Sequence, residues 1–256
     1  MIDPAAAAPV PAAAEAPIRI QGLKRSFGSA AVLNGVDLDV HKGETLVILG
    51  RSGCGKSVLL RHVLGLLEPD AGEVRVFGER LTALPPRRQK ELRLRFGMVF
   101  QGGALFDSLS AAENVEFGLL EHRVMSARDA RVRARECLAL VGLDGAEDRL
   151  PADLSGGMRK RVALARAIAM KPEVILYDEP TTGLDPMTSD QINDLMVKLK
   201  NSLGVTAIVV THDMHSALKV ASRIAVMDEG RIRCVETPES ARRSADALLK
   251  QFLTNV

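Results

Sequence analysis

The alternation of apolar and polar residues changes along the chain, and these changes predict an α/β fold. At residues 18–20 and 36–40, apolar side chains alternate with polar ones, as in half-buried antiparallel strands. Continuous apolar runs at residues 45–49, 174–177 and 205–210 predict fully buried strands. Helical stretches alternate with these buried runs, and strands that alternate with helices imply a parallel sheet. The predicted helices cover residues 57–67, 188–203 and 213–222.

The stretch at residues 102–155 departs from this pattern because it has no convincing strand. It holds two helical patterns, at residues 110–120 and 126–141. Ser126 and Asp129 have the spacing of a capping box at the start of the second helix. We interpret this stretch as a helical subdomain inserted between two parts of an α/β core. The two parts are residues 18–101 and 156–236.

The two ends of the chain differ from the core. Residues 1–17 are mostly Ala and Pro and bury too little apolar surface to offset chain entropy, so we expect a disordered tail. Residues 224–235 predict a hairpin with a turn at Asp228-Glu229-Gly230. Thr237 and Pro238 fit the N-cap and first position of one last helix within residues 237–256.

Composition excludes several classes of protein. Of the 256 residues, 46% are hydrophobic and 26% are charged, as in a globular protein. A net charge of +2 gives no electrostatic footprint for nucleic acid. Three cysteines without a CxxC pair favour a reducing compartment over a disulfide framework or a zinc site. Because we find neither a membrane span nor a signal peptide, we expect a soluble chain that reaches membranes through a partner.

A glycine-rich stretch at residues 50–57, the phosphate loop, matches the pattern GxxxxGK followed by Ser or Thr, between a buried strand and a helix. Its glycines let main-chain N–H groups turn toward phosphate oxygens, and the helix N-terminus adds positive potential. We expect Lys56 to reach the terminal phosphates of ATP and Ser57 to bind Mg²⁺. No base is implied near Cys54, so we expect no catalytic thiol. The predicted nucleotide contacts here are Gly50, Arg51, Ser52, Gly53, Cys54, Gly55, Lys56, Ser57 and Val58.

Polar residues at the ends of the other buried runs predict hydrolytic chemistry. Asp178 follows one run and is expected to hold Mg²⁺ directly or through water, and Glu179 is expected to polarise the attacking water. His212 follows the next run and can reach the γ-phosphate, whereas His215 is expected to lie on the ordinary surface. Gln101 ends a further apolar run, where its amide can contact Mg²⁺ or water.

A second phosphate contact is predicted at residues 154–157, Leu-Ser-Gly-Gly, which we call the signature turn. It precedes a helical run, so its N–H groups and the positive helix end suit a phosphate. Since the chain already has one phosphate loop, the economical explanation is that this turn completes the site of another copy. Two copies in a head-to-tail, two-fold arrangement would then enclose two ATP molecules.

Together these motifs resemble the ATP-binding cassette (ABC) ATPases. The phosphate loop (Walker A), Gln101, the signature turn, the strand ending in two acids (Walker B), Gly183-Leu184-Asp185 and His212 occur in the family's order and spacing over about residues 18–235. The resemblance implies an α/β P-loop NTPase domain at residues 18–236, with a RecA-like core, an antiparallel β subdomain and the helical insert. It also implies an ATP-bridged homodimer that works with a transmembrane permease.

The resemblance assigns further roles to individual residues. Phe27 is similar to the aromatic residue that stacks on adenine. Ser155, Gly156 and Gly157 match the turn that touches the partner's γ-phosphate. Asp185 resembles the acid at the dimer interface, and Gln101 opens the loop that links the nucleotide to the permease.

Two stretches resemble the ATPase subunit of Mla/Mce-type phospholipid transporters, namely residues 101–109 and residues 154–161, where Met158 replaces the more usual Gln. This implies phospholipid traffic between two bacterial membranes, with the chain at the cytoplasmic face of the inner membrane. The implied partners are an MlaE-like permease, a membrane-anchored substrate-binding subunit and a small STAS-type regulatory subunit. Residues 104–106 either receive the permease's coupling helix or pack within the insert.

Three alternatives remain open. The cargo can instead be an amino acid, a metal or a drug. An ATPase acting on DNA or ribosomes is disfavoured, because the chain has neither a long coiled coil nor a second cassette. A nucleotide-dependent adaptor that does not hydrolyse ATP is opposed by the presence of both Glu179 and His212.

Overall fold

The computed structural model describes residues 16–254. The tail predicted at residues 1–17 therefore lies outside the described residues, apart from Ala16 and Pro17. The strands are β1 (Ile18–Phe27), β2 (Ala30–Val40), β3 (Thr45–Leu49), β4 (Ala71–Val76), β5 (Glu79–Arg80), β6 (Phe96–Val99), β7 (Val174–Asp178), β8 (Thr206–Thr211), β9 (Arg223–Asp228) and β10 (Arg231–Glu236). The α-helices are α1 (Lys56–Val63), α2 (Pro86–Arg93), α3 (Ala111–Glu121), α4 (Ala127–Leu140), α5 (Gly156–Ala169), α6 (Pro186–Leu203), α7 (Met214–Val220), α8 (Pro238–Arg243) and α9 (Ala247–Leu253).

The strands form two sheets. A six-stranded sheet has the order β10-β9-β3-β8-β7-β6, and a four-stranded sheet has the order β2-β1-β4-β5. In the larger sheet all neighbours are parallel except the β9–β10 hairpin, whereas the smaller sheet is antiparallel throughout. The predicted fold class, an α/β core with an antiparallel β subdomain, is confirmed.

Strand β3 shows why the core strands lack alternation. Val47 and Leu49 pack into one hydrophobic cluster, and Leu46 and Ile48 pack into a second cluster on the opposite face. All four side chains are at most 1% exposed. Because each such buried aliphatic side chain contributes about 1.5–3 kcal/mol of transfer free energy, both faces of the strand favour apolar residues.

The segment between β6 and α5 contains α3 and α4 and no strand. The full capping box lies at α3, where Ser110 Oγ accepts from the Glu113 N–H and the Glu113 carboxylate accepts from the Ser110 N–H. At α4, Ser126 Oγ accepts from the Asp129 N–H, but the Asp129 carboxylate accepts from the Ser126 hydroxyl and not from its main chain. The capping box predicted at Ser126 is therefore only half formed.

Several elements differ from their predictions. Helix α1 ends at Val63 and not near residue 67, because the chain turns at Gly65 with a φ of 62°. The single helix expected after Thr237 is two helices, α8 and α9, and Asp246 accepts the N-terminal hydrogen bonds of the second. Strands β4 and β5 and helix α2 were not predicted. Within residues 16–254, no helix combines the length and apolar character needed to cross a membrane.

Candidate functional site

Three neighbouring parallel strands end at one edge of the larger sheet and bring the predicted site residues together. Strands β3, β8 and β7 are adjacent, and their carboxyl ends lead into Gly50, His212 and Glu179. The Gly50 N–H donates to Thr211 O at 3.2 Å, and the Glu179 N–H donates to Val210 O at 3.0 Å. Ligands bind beyond the carboxyl ends of such strands in open α/β sheets.

The phosphate loop requires glycine at both of its ends. A Cβ at Gly50 would lie 2.5 Å from Met227 O, and Gly55 has a φ of 107°. Helix α1 then begins at Lys56, which is only 6% exposed. Lys56 Nζ donates to Gly50 O at 2.7 Å and to Arg51 O at 3.1 Å. The main chain of the loop thus binds the Lys56 ammonium group at the place where the sequence predicts a triphosphate.

A pair of oxygen ligands suited to Mg²⁺ lies beside this loop. Ser57 Oγ donates to Asp178 Oδ1 at 2.8 Å, and Asp178 is the last residue of β7. Protein Mg²⁺ sites of nucleotide enzymes use one or two such oxygens and complete the shell with water and phosphate. The two predicted ligands therefore fit the ion, and their role stays a prediction.

The Glu179 carboxylate is held by three other side chains. His212 Nδ1 lies 2.8 Å and Thr182 Oγ1 lies 3.0 Å from Glu179 Oε2, and Lys56 Nζ lies 3.4 Å from Glu179 Oε1. The residue is 8% exposed and has a φ of 48°. A non-glycine residue in this left-handed region costs on the order of 1–3 kcal/mol and is typical of functional sites. Thr182 was not predicted, because only the folded turn brings it to the carboxylate.

These groups surround a cavity of about 350 Å³. Phe27 is not among its lining residues: it is 43% exposed at the end of β1, with the Arg25 guanidinium 5.0 Å from its ring centroid. Val32, which was not predicted, does line the cavity. The lining residues are Val32, Ser52, Gly53, Gly55, Lys56, Ser57, Val58, Gln101, Glu179, Thr182 and His212.

The remaining loop residues point elsewhere. Arg51 is exposed and donates to Gln251 Oε1 in α9 at 2.5 Å. Cys54 is half-buried, and burial raises the pKa of its thiol above the ordinary value. A raised pKa disfavours the thiolate at neutral pH, which fits the expectation of no catalytic thiol. His215 lies at the surface, as expected, 3.3 Å from Asp190.

The signature turn lies on a different element and packs against the start of α6. Ser155 caps α5, and its Oγ accepts from the Met158 N–H at 3.2 Å. A Cβ at Gly157 would lie 2.7 Å from Thr188 Cγ2. Thr188 also donates to Asp185, the cap of α6, and these hydrogen bonds lower the pKa of the Asp185 carboxyl. Among the described residues, neither the turn nor Asp185 contributes to the lining of the cavity.

Helix α5 also reaches the segment that follows β6. Gln101 lines the cavity, and its main-chain oxygen accepts a hydrogen bond from Lys160 Nζ. Lys160 is 6% exposed, and its Nζ lies 3.4 Å from Glu179 O. Burial lowers the pKa of Lys160, whereas the carboxylates of Glu179 and Asp178 act in the opposite direction. Lys160 was not predicted, because a lysine in a basic run gives no sign of burial.

A family model described as "ABC transporter" matches residues 33–182. The chain therefore belongs to the ABC transporter family, as an ATP-binding subunit with ATP-hydrolysing activity.

Three relatives illustrate this membership. The chain is 44% identical over 240 residues to "Sulfate/thiosulfate import ATP-binding protein CysA" of Bradyrhizobium diazoefficiens, covering 92% of this chain and 68% of that protein. It is 37% identical over 236 residues to "Probable ribonucleotide transport ATP-binding protein mkl" of Mycobacterium leprae, covering 92% and 68%. A solved ATP-binding cassette, described as a dimer in a post-hydrolysis state bound to ADP and Pi, matches with a TM-score of 0.78. That match is 34% identical and covers 86% of this chain and 98% of the other.

The comparisons show the family and do not support the predicted Mla/Mce subgroup. ATP-bridged dimers and membrane permease partners are typical of ABC ATPases. None of these three relatives is named as an Mla/Mce-type transporter. The phospholipid cargo, the MlaE-like permease and the STAS-type subunit therefore stay proposals.

Proposed function

We propose that the chain binds Mg-ATP at its phosphate loop and hydrolyses it as a homodimer, in which the signature turn of each copy completes the other copy's site. One observation carries this proposal. Lys56, Glu179 and His212 meet around one cavity, whereas the signature turn forms an ordered helix start away from it. A helix N-terminus is a ready anion site, and the nucleotide at the phosphate loop of a second copy can supply the phosphate for this turn.

Within the site, each residue has a proposed task. Lys56 binds the terminal phosphates, and Ser57 and Asp178 hold Mg²⁺. Glu179 accepts a hydrogen bond from the attacking water and polarises it, while His212 fixes that carboxylate and faces the γ-phosphate. The remaining proposed roles are contact with Mg²⁺ or water for Gln101, adenine stacking for Phe27, γ-phosphate contact for Ser155, Gly156 and Gly157, and the dimer interface for Asp185.

The Glu179→Gln variant tests this proposal. Because the amide cannot act as a base, we expect turnover to fall by about 10²- to 10⁴-fold with ATP binding intact. Light scattering in Mg-ATP should then show a dimer at twice the 27.5 kDa of the chain. The control is Lys56→Ala/Glu179→Gln, which should neither bind ATP nor dimerise. A Glu179→Gln monomer saturated with ATP would refute the sandwich, and normal turnover would refute the role of Glu179.

The cargo is a finer proposal. Residues 101–109 and 154–161 support a phospholipid transporter, with this chain at the cytoplasmic face of a bacterial inner membrane. An apolar surface is available for a permease: Phe106 is 43% exposed, and its ring centroid lies 4.5 Å from that of Phe117. Leu105, in contrast, packs against the core of the chain. Within residues 104–106, Phe106 therefore fits the predicted contact with the permease, whereas Leu105 fits the predicted internal packing.

Sulfate is the second candidate cargo, because the relative named as a sulfate/thiosulfate importer is 44% identical. Cargo does not touch this subunit, so recovering the permease decides between the two. The chain is purified from detergent-solubilised membranes, and its partners and bound lipids are identified by mass spectrometry. We expect an MlaE-like permease with phospholipid, accompanied by the anchored and STAS-type subunits. Recovery of a permease for sulfate or another polar solute would refute the lipid proposal.

A further inference from the structure

One side of helix α5 holds the main chain that follows β6. Lys160 Nζ donates to Gln101 O, and Arg166 donates to Gly103 O and to Ala104 O, both at 2.7 Å. The segment needs such support, because Ala104 has a φ of 45°, which is strained for a residue with a Cβ. Two cations of one helix thus bind three carbonyl groups of a backbone segment that is not in a regular element.

Lys160 also contacts the residue that follows strand β7. Its Nζ lies 3.4 Å from Glu179 O, and the side chain is 6% exposed. A buried ammonium group is tolerated only where it is hydrogen-bonded or paired, so these carbonyls are its compensating partners. Among the described residues Lys160 does not line the nucleotide cavity, and its effect must pass through the backbones it holds.

The same helix begins at the signature turn. Ser155 caps α5, and Lys160 follows five residues later, about 7.5 Å along the helix axis. A phosphate bound at the helix start therefore acts on an element whose next turns contact Gln101 and Glu179. Packed helices shift as units, because close-packed interiors transmit displacement.

We propose that Lys160 is a positioning residue, which sets the main chain of Gln101 and Glu179 relative to helix α5. A nucleotide held by the partner copy then influences the water-polarising carboxylate of this copy through Lys160. This inference rests on the proposed roles of Glu179 and the signature turn.

The test compares Lys160→Met and Lys160→Arg with an exposed control, Lys198→Met on α6. Met keeps the length and removes the donors, so we expect kcat for ATP hydrolysis to fall by about 10- to 100-fold with KM for ATP within about threefold of wild type. Arg keeps the charge and donors and should restore kcat to within about threefold of wild type. Lys198→Met should match wild type.

Three results would overturn the inference: kcat of a folded Lys160→Met variant within about twofold of wild type, a rise in KM equal to the fall in kcat, or equal losses for Met and Arg. If Lys160→Met does not fold, Lys160→Gln takes its place with the same criteria. ATP hydrolysis by Glu179→Gln is measured beside these variants, and its ATP binding is measured with a fluorescent ATP analogue. Active Glu179→Gln would reject the proposed role of Glu179 on which this inference rests, whereas inactive Glu179→Gln with active Lys160→Met rejects only the positioning role.

Discussion

The phosphate loop and the signature turn share a design and differ in completeness. Each presents glycines before a helix N-terminus, which favours a phosphate. The loop is closed by its own chain, since Lys56 contacts Glu179 and Ser57 contacts Asp178. At the turn, Ser155 Oγ caps only its own helix within residues 16–254. The groups proposed for hydrolysis therefore lie together at one edge of the larger sheet, whereas the proposed contact with the partner's phosphate lies on a separate helix.

The two regions are also supported differently. The loop is placed by the ends of buried strands, whereas the turn is placed by the close approach of Gly157 to Thr188 at the start of α6. A larger residue at Gly157 would displace the turn from α6.

The largest effect is expected from Ser155→Arg in the Glu179→Gln background. Because Ser155 is proposed to contact only the partner's nucleotide, we expect complete loss of the Mg-ATP dimer, measured by light scattering. ATP binding by the monomer should stay within about threefold, since the phosphate loop is intact. Asn201→Arg, exposed near the end of α6, is the control and should dimerise normally. A dimer in the Ser155→Arg variant would contradict the division between the two regions.

Modification of Cys54 with a bulky maleimide tests the phosphate loop. Cys54 Sγ lies 2.7 Å from where a Gly50 Cβ would be, so an added group must distort the loop. We expect ATP affinity to fall at least about tenfold, as measured by fluorescence titration. Protein modified only at the half-buried Cys234 of β10 is the control, and prior Mg-ATP should protect Cys54. Unchanged affinity after complete, mapped modification of Cys54 would refute this expectation.

A smaller effect is expected from Thr182→Val, which removes the hydroxyl that donates to Glu179 Oε2. Loss of one hydrogen bond to a charged group predicts a kcat about tenfold lower, with KM for ATP unchanged. Thr181→Val is the matched control, because no hydrogen bond of its buried side chain occurs within residues 16–254. Equal kcat values for the two variants would show that Thr182 does not orient the carboxylate.

The smallest effect concerns His62, on the helix behind the phosphate loop. Burial lowers its pKa below the ordinary 6.5, so the folded protein binds fewer protons than the unfolded chain in that pH range. Stability must therefore fall as the pH decreases through 6.5, and His62→Leu should lose less stability than wild type between pH 7.5 and pH 5. Urea unfolding at several pH values measures this, with the exposed His215→Gln as control. Parallel pH profiles for His62→Leu and wild type would contradict it.

Much of the fold could be predicted because the core strands β3, β7 and β8 bury both faces. Strand β7 is a continuous apolar run, so its position and its terminal Asp178 are evident from the sequence. Strand β4 was missed because only Val74 and Val76 are strand-like, and its conformation depends on pairing with β1. Helix α2 was missed because Leu92 is its only buried residue, which leaves no apolar periodicity.

The site residues likewise divide into those that the sequence predicts and those that it does not. Lys56, Glu179 and His212 could be predicted because each directly follows a strand or a glycine-rich loop, and parallel strand ends meet at one edge. Thr182 and Lys160 could not, since their contacts with Glu179 are made by a turn and by a helix from another part of the chain. A single sequence has no pattern that records the side-chain geometry of this turn or the contact between helix α5 and Glu179.

The contacts of the Lys56 ammonium group with its own chain have a consequence for the affinity for ATP. Its ammonium group is bound by Gly50 O, Arg51 O and the Glu179 carboxylate, so an incoming phosphate must exchange with these internal ligands. These internal ligands thus compete with ATP for Lys56, and one of them is the carboxylate proposed to act in hydrolysis. Neutralising Glu179 should therefore tighten nucleotide binding while it slows cleavage, because it removes a negative charge that competes with the phosphate for Lys56.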